Sequence, residues 1–326
     1  MSHRFTAQPT GAHRIATRVL RLATPVLRRV RNSITRDGPI PSPQRGERLN
    51  IVIFSKDRAC QLELLLRSIK IYVDLSEQIR ISVLYTASNA EFDRGYRQLK
   101  PMFPGVAFHD ERTGPRDFKF KTLCLARTAI PYLMFLVDDD VFKNPFSLAD
   151  EEFRAFERSS DQVCLSLRLG KHISYCYSMD LPTPPPPFLS EWVWEWRGLA
   201  GDWGYPMSLD GHVFRTADIL PLLNSRHYTN PNTLESALAD RPLHKLKMSC
   251  YEQSRVLNLP VNRVQSVFAN RSGNVEQAEL NAIFLAKGRI RLEPFDGYVN
   301  SSPHQELALE FTGISDQHPC GGHEGY

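Results

Sequence analysis

The chain has 326 residues, of which 42% are hydrophobic and 23% charged, and a net charge of +4. That balance is globular and excludes a disordered, fibrous or coiled-coil protein. The longest apolar run, Ala129 to Val137, has nine residues, far short of the ~20 a membrane-spanning helix needs.

Residues 1–48 hold ten arginines against Asp37 and Glu47, a surplus of +8 that leaves the other 278 residues at −4. A basic arm on a mildly acidic body suits an arm that meets phosphates and a body that does something else. Ile15, Val19, Leu20, Leu22, Val26, Leu27 and Val30 recur at roughly helical spacing between the arginines, and Pro25 would kink or end such a helix. The arm reads as an amphipathic helix on an anionic membrane surface, or equally as a solvated, disordered leader. A mitochondrial-type presequence is a lesser reading, and no secretory signature is present. The net acidic body speaks against a nucleic-acid enzyme. Six cysteines without a CxxC pair read as reduced core thiols of a cytosolic protein, placed in the cytoplasm and peripheral to the membrane if the arm binds lipid.

After a Pro-rich linker at 39–44, the folded body begins near Asn50. Asn50 to Phe54 is a short apolar run of the kind buried in a parallel sheet, broken at Ser55-Lys56-Asp57-Arg58. A helix follows with Leu62, Leu65, Leu66 and Ile69 on one face. Ile79 to Tyr85 reads as the second strand, ending at Thr86-Ala87-Ser88-Asn89; Glu91 to Leu99 reads as a helix and Val106–Phe108 as a short third strand. Residues 118–129 have helical spacing, and Tyr132 to Val137 is another buried strand running directly into Asp138, Asp139 and Asp140. This alternation predicts a doubly wound α/β fold, mostly parallel and flanked by helices, with ligands beyond the carboxyl ends of the strands.

Beyond Asp150 the pattern predicts a helix (Glu151 to Ser159) and a strand (Val163 to Leu169). A Pro/Trp-rich excursion then holds Trp192, Trp194, Trp196 and Trp203, followed by a strand from Tyr205 to Phe214. A helix starts at Leu234, strand and loop mix over 255–269, Asn274 to Leu285 is helical, and the last residues form a polar tail.

Three consecutive carboxylates after a buried strand repel one another, and the apolar Leu136, Val137, Val141 and Phe142 on either side make a solvated surface turn a poor alternative. A hard divalent cation, Mn²⁺ or Mg²⁺, would resolve the repulsion and keep positions open for phosphate oxygens. The order and spacing of the polar strand end at 55–58 and the acidic motif resemble those of a GT-A-fold, nucleotide-sugar-dependent glycosyltransferase, broadly of the family 2 kind, over about residues 49–270.

That resemblance implies a catalytic domain over 49–300, with a nucleotide-sugar half (49–145), an acceptor half (146–300) and a tail (301–326). It assigns Asp138 and Asp140 to the metal, with Asp138 and Asp139 also at the donor, and places Ser55, Asp57, Arg58, Thr86 and Ser88 around the nucleotide. Asp57 and Arg58 could alternatively cap the following helix. Lys121, with Lys119 beside it, would face the diphosphate or else belong to a solvated helix face.

The family's acceptor-activating acid falls on Glu235, with Asp210 second, although Ser236 stands where the family has Asp. Such a carboxylate takes the acceptor hydroxyl's proton as the new bond forms, giving inversion. The same Glu would also suit the first turn of a helix capped by Asn232 or Thr233. Gln265 occupies the place of a further histidine ligand, which leaves His304 as the substitute. The tryptophans, with Asp202 and Glu195, would bind a glycan or lipid-linked acceptor, or would simply pack a small core of their own. The expected reaction is sugar transfer from a nucleotide diphosphate sugar to a hydroxyl. A nucleotidyltransferase and an inactive carbohydrate-binding scaffold are the alternatives; the first should show a Gly-rich phosphate loop, and residues 55–60 contain no glycine.

Overall fold

The computed structural model describes residues 46–75, 78–113, 117–240, 242–261 and 275–313. The arm as far as residue 45, Gln265, Cys320 and the tail beyond 313 lie outside the described residues. The first half runs β1 (Leu49–Lys56), α1 (Ala59–Tyr72), β2 (Ile79–Thr86), α2 (Ala90–Leu99), β3 (Ala107–Asp110), α3 (Phe118–Ala126) and β4 (Tyr132–Val137). Then come β5 (Asp140–Phe142), α4 (Glu151–Arg158), β6 (Gln162–Gly170), β7 (Tyr175–Cys176), β8 (Leu181–Pro182), β9 (Val193–Glu195) and β10 (His212–Arg215). The last group is α5 (Thr216–Ser225), α6 (Pro231–Asp240), β11 (Lys247–Tyr251), β12 (Val256–Asn258), α7 (Gln277–Leu285), β13 (Arg289–Ile290) and β14 (Phe311–Thr312).

Strand β1 shows why the apolar runs become central strands. Ile51 and Ile53 pack into one core cluster with Leu62, Leu65, Leu66 and Ile69 of α1. The alternate residues Val52 and Phe54 pack into the cluster on the other face, with Leu125 and Ala126 of α3. Because side chains alternate across a strand, only a run apolar at every position can be covered by helices on both sides.

Eight strands form the main sheet in the order β3-β2-β1-β4-β10-β6-β11-β9. The first four are mutually parallel; β10 runs antiparallel between β4 and β6, β11 is parallel to β6, and β9 closes the sheet antiparallel to β11. The fold is therefore the expected α/β architecture with a mostly parallel sheet. It brings the carboxyl ends of β1, β2, β4 and β6 to one edge. Register fixes the neighbours there: Phe54 pairs with Val137, so Ser55–Arg58 emerge beside Asp138–Asp140. Beyond that edge β5 leaves the main sheet and forms a ribbon with β12, in which Asp140 pairs with Asn258.

Several boundaries differ from expectation. The strand foreseen over 205–214 is only β10, preceded by a 3₁₀ turn at Gly201–Gly204 and an irregular loop, because Ser208 and Asp210 turn aside to meet Arg168. Helix α6 starts three residues before Leu234, at Pro231, a residue suited to a first helical turn. Its cap is Asn230, whose Oδ1 accepts from Thr233 N at 2.9 Å, not Asn232 or Thr233. Among the described residues no helix is long and apolar enough to cross a membrane.

Candidate active site

The acidic motif is held by main chain and by one arginine. Lys56 N donates to Asp138 Oδ2 at 3.0 Å, and Arg58 Nη1 donates to Asp138 Oδ1 at 2.9 Å and Asp139 Oδ2 at 2.8 Å. Asn258 Nδ2 bridges Asp139 Oδ1 and Asp140 Oδ1, each at 3.1 Å, while Val137 N donates to Asp140 Oδ2 at 3.0 Å. Each oxygen of Asp138 thus already accepts a hydrogen bond, and Arg58, the one cation among the described residues that pairs directly with the motif, serves Asp138 and Asp139 but not Asp140. Burial pushes the Asp138 carboxyl up to about 6 against the opposing charge of Arg58. Asp140 is raised well above the ordinary carboxylate range, by burial first and then by the charges of Asp210 and Asp139.

The loop after β1 joins this motif to the end of β2. Asp57 takes the left-handed conformation (φ +58°) and accepts from Ser88 N at 2.7 Å, with its own N–H donating to Thr86 O at 3.2 Å. Ser55 Oγ lies 2.7 Å from Tyr96 OH, which also accepts from Arg58 N at 3.2 Å. Ser55, Asp57, Arg58, Thr86 and Ser88 therefore line one edge of the sheet together with the acidic motif. Asp57 ties that loop to β2, and Arg58 ties it to Asp138 and Asp139 after β4.

A second group comes from β6 and the loop before β10. Arg168, buried in β6, donates to Ser208 Oγ at 2.7 Å and Asp210 Oδ2 at 3.1 Å, and also pairs with Asp202. His304 Nε2 lies 3.1 Å from the same Asp210 oxygen. Burial would raise the Asp210 carboxyl, but His304 and Arg168 hold it below the usual range. Burial would lower the His304 imidazole, and the hydrogen bond to Asp210 instead raises it. Glu235, half-buried on α6, is pushed up to about 7 by burial and by the charge of Asp210, against Arg168 and a hydrogen bond from Ser208. Asp210 thus acts on both Asp140 and Glu235, so the motif and the expected base share one electrostatic field.

Among the described residues no three His, Cys, Asp or Glu side chains close around a common point as a preformed metal cage. A divalent cation nonetheless suits the donors present. Asp140 accepts hydrogen bonds only from neutral donors while the charges of Asp210 and Asp139 act on it, and His304 Nδ1 is buried without a hydrogen-bond partner while its Nε2 is oriented by Asp210. A carboxylate-oriented imidazole with its other nitrogen bare is a common form of metal-binding histidine.

Other expected residues are placed differently. Lys121 does not face a diphosphate: its buried amine donates to the carbonyls of Asp110, Glu111 and Thr113 at 2.7, 2.6 and 2.5 Å, closing the loop after β3. The indoles of Trp194, Trp196 and Trp203 are buried, so they offer no stacking face to an acceptor. Trp194 meets Trp203 edge to face at 4.9 Å and donates to its carbonyl, and Trp196 donates to Lys245 O, so the packing reading holds for these three. Trp192 is half-buried and Glu195 exposed on the same excursion. Asp202 is buried against Arg168 and is not presented to a hydroxyl.

Arg168, Asn258 and Tyr205 belong to the site without having been singled out. A lone arginine in the apolar run Val163–Leu169 is the signal that was available for Arg168, since a buried guanidinium demands acidic partners. Burial and then the Glu235 charge raise the Tyr205 phenol.

No protein-family model matches the chain. Over 261 residues it is 26% identical to the bifunctional glycosyltransferase pgtA of Dictyostelium discoideum, a match covering 68% of this chain and 33% of that protein. The chain thus spans about a third of that relative's length. The TarS structure from S. aureus is similar at 14% identity and a TM-score of 0.41, over 64% of this chain and 36% of that one. The mannosyltransferase PcManGT from Pyrobaculum calidifontis, in complex with GDP-Man and Mn²⁺, is similar at 11% identity and a TM-score of 0.38, over 72% of this chain and 64% of that one. In sequence, what the chain resembles is a glycosyltransferase.

Proposed function

We propose that the chain is a metal-dependent glycosyltransferase that moves a sugar from a nucleotide diphosphate sugar to a hydroxyl acceptor with inversion. The observation that carries this is the buried acidic motif at the carboxyl edge of the sheet, where Arg58 and Lys56 N hold Asp138 while Asp140 meets only neutral donors, with Asp210 orienting His304 and leaving its Nδ1 bare. The resemblance to a glycosyltransferase and the donor-bound similar structure support the choice of substrate class.

In this reading Ser55, Asp57, Arg58, Thr86 and Ser88 receive the nucleotide. Asp140 and His304 Nδ1 would hold Mn²⁺ or Mg²⁺, which when bound supplies positive charge against the departing diphosphate. Asp138 and Asp139 keep Arg58 in place at that edge. Arg168 keeps Asp210 ionised and in position, and Asp210 in turn orients His304. Glu235 accepts the acceptor hydroxyl's proton on a carboxylate oxygen, leaving the hydroxyl oxygen to attack the anomeric carbon from the face opposite the diphosphate. A base raised to about 7 binds a proton well while remaining substantially ionised near neutrality.

The test is a thermal-unfolding panel of nucleotide sugars with and without Mn²⁺, on wild type and Asp140→Ala. One sugar nucleotide should stabilise the wild type only with metal, and the variant not at all. Equal stabilisation of both proteins, or no response to any sugar nucleotide, would overturn the proposal.

A further inference from the structure

The β5–β12 ribbon that carries Asp140 and Asn258 at one end carries a different polar group at the other. Lys143, just after β5, is 1% exposed, and its amine has no hydrogen-bond partner. Its backbone is fixed on both sides, since Lys143 N donates to Arg255 O and Gly297 N to Lys143 O, each at 2.9 Å. Arg255 lies across the ribbon with a buried, unpartnered Nε and its guanidinium 4.3 Å over the Tyr251 ring. Asn144, the next residue, donates from Nδ2 to Ser254 O at 2.8 Å, drawing Ser254 to the same place.

His172, two residues past β6, completes the group. Asn300 Nδ2 donates to Ser302 O at 2.7 Å, so Asn300 Oδ1 is the acceptor for Ser254 Oγ at 3.1 Å and for His172 Nε2 at 3.2 Å. That leaves His172 Nδ1 buried and without a partner. The close approach depends on Gly170, where a Cβ would come within 2.5 Å of Ser254 N and 2.7 Å of His172 Cε1. His172 and Arg255 are half-buried, so part of each side chain reaches solvent.

Three basic side chains thus lie around this end of the ribbon, and among the described residues no carboxylate forms a salt bridge with any of them. Glu252 pairs with Lys171 at 2.5 Å, and Asp150 accepts from Ser147 N at 3.0 Å. Glu152 acts on Arg255 from α4 without approaching within salt-bridge distance. Burial and then the Arg255 charge push the Lys143 amine down to about 8. Burial likewise lowers His172, and the charge of Lys143 lowers it further. A buried amine left unpaired is costly, and a group of like charges more so. A dianion answers the formal charge of two fixed cations better than a carboxylate does, and the P–OH of hydrogen phosphate can donate to the bare, unprotonated His172 Nδ1.

We propose that Lys143, His172 and Arg255, with Ser254 at the wall, form a binding site for a phosphate-type oxyanion. The site is separate from the transfer reaction and does not depend on it.

The test is thermal unfolding of the full chain at pH 7 without divalent metal, in inorganic phosphate against chloride at equal ionic strength. Wild type and Asp140→Asn should show the same saturable rise in unfolding temperature, which excludes binding at the candidate active site. Lys143→Met keeps the buried volume and removes the charge; it should fold with an unfolding temperature at or above wild type in chloride and should lose the phosphate response. Arg255→Gln should raise the half-saturating phosphate concentration at least about tenfold. A methyl phosphate arm separates two sources: an equal response marks a phosphomonoester group of a larger ligand, and a response to inorganic phosphate alone marks a free ion. No rise in wild type beyond that in chloride, or an undiminished rise in Lys143→Met, would overturn the proposal.

Discussion

At the scale of single residues, the acids of the site are distinguished by what lies beside them. Asp210 has His304 and Arg168 and stays ionised; Glu235 faces the Asp210 charge and is pushed up to about 7 from an ordinary 4.5. Between those two pH values the folded chain retains a proton on Glu235 that the unfolded chain releases. The folded state binds more protons there, so this group's contribution lowers stability as pH rises through the window. Glu235→Gln removes the penalty, and at pH 8 it should be more stable than wild type by on the order of 1 kcal/mol, the size left after screening of a half-exposed group. The same variant should bind donor normally yet lose about 10²- to 10⁴-fold in transfer rate. Wild-type rate should climb with pH through about 7 as the carboxylate ionises. A pH–rate profile alongside urea titrations reads both effects, and a variant that turns over normally would remove Glu235 from the chemistry. Arg168 presents the opposite case. Arg168→Met would leave Asp202 and Asp210 buried without their cation and should cost about 3–5 kcal/mol in urea denaturation; a loss under about 1 kcal/mol would mean that water already solvates those acids.

At the scale of elements, α6 and its cap set where Glu235 stands. Asn230 Oδ1 accepts from Thr233 N at 2.9 Å, and Thr233 Oγ1 accepts from Asn230 N at 3.0 Å, a reciprocal cap two residues before Glu235. Asn230→Ala should cost about 1 kcal/mol in denaturant unfolding. It should also lower kcat more than donor affinity, because the base moves while the nucleotide edge does not; an unchanged kcat would show that packing of Leu234 and Leu238 alone places the helix. What could be read from sequence follows the same division. Local signals were legible: β1 and β4 were visible as runs apolar on both faces, and the acidic motif as like charges that no surface turn explains. Partnerships across the chain were not. Arg168 finds its acids 34 and 42 residues downstream, and nothing near it in sequence announces them. Lys121 is spent on carbonyls of a loop up to 11 residues upstream, so a free lysine and a structural one look alike there. The tryptophan cluster reads identically whether its rings face a ligand or one another; only the 4.9 Å contact between Trp194 and Trp203 decides it.

At the scale of the whole molecule, the strand order governs how the two expected halves relate. β10 lies hydrogen-bonded between β4 of the first half and β6 of the second, so the sheet has no seam at residue 145. The two core clusters likewise take residues from both halves: Leu165, Val256 and Leu257 join the β1–α1 cluster, and Val52, Phe54 and Leu84 join the cluster that holds the tryptophans. Neither half can bury its strands without the other, and elements that share one core lose structure together. All four tryptophans lie between 192 and 203, in the second half, whereas far-ultraviolet dichroism reports helices and strands of the entire chain. The two signals should therefore fall at the same urea concentration with the same steepness. Glu235→Gln should shift both together, since the sheet that carries the proposed nucleotide edge also carries the surroundings of the proposed base. A tryptophan transition clearly separated from the dichroism transition would show that the acceptor side unfolds by itself, and the inserted strand would then not bind the halves into one cooperative unit.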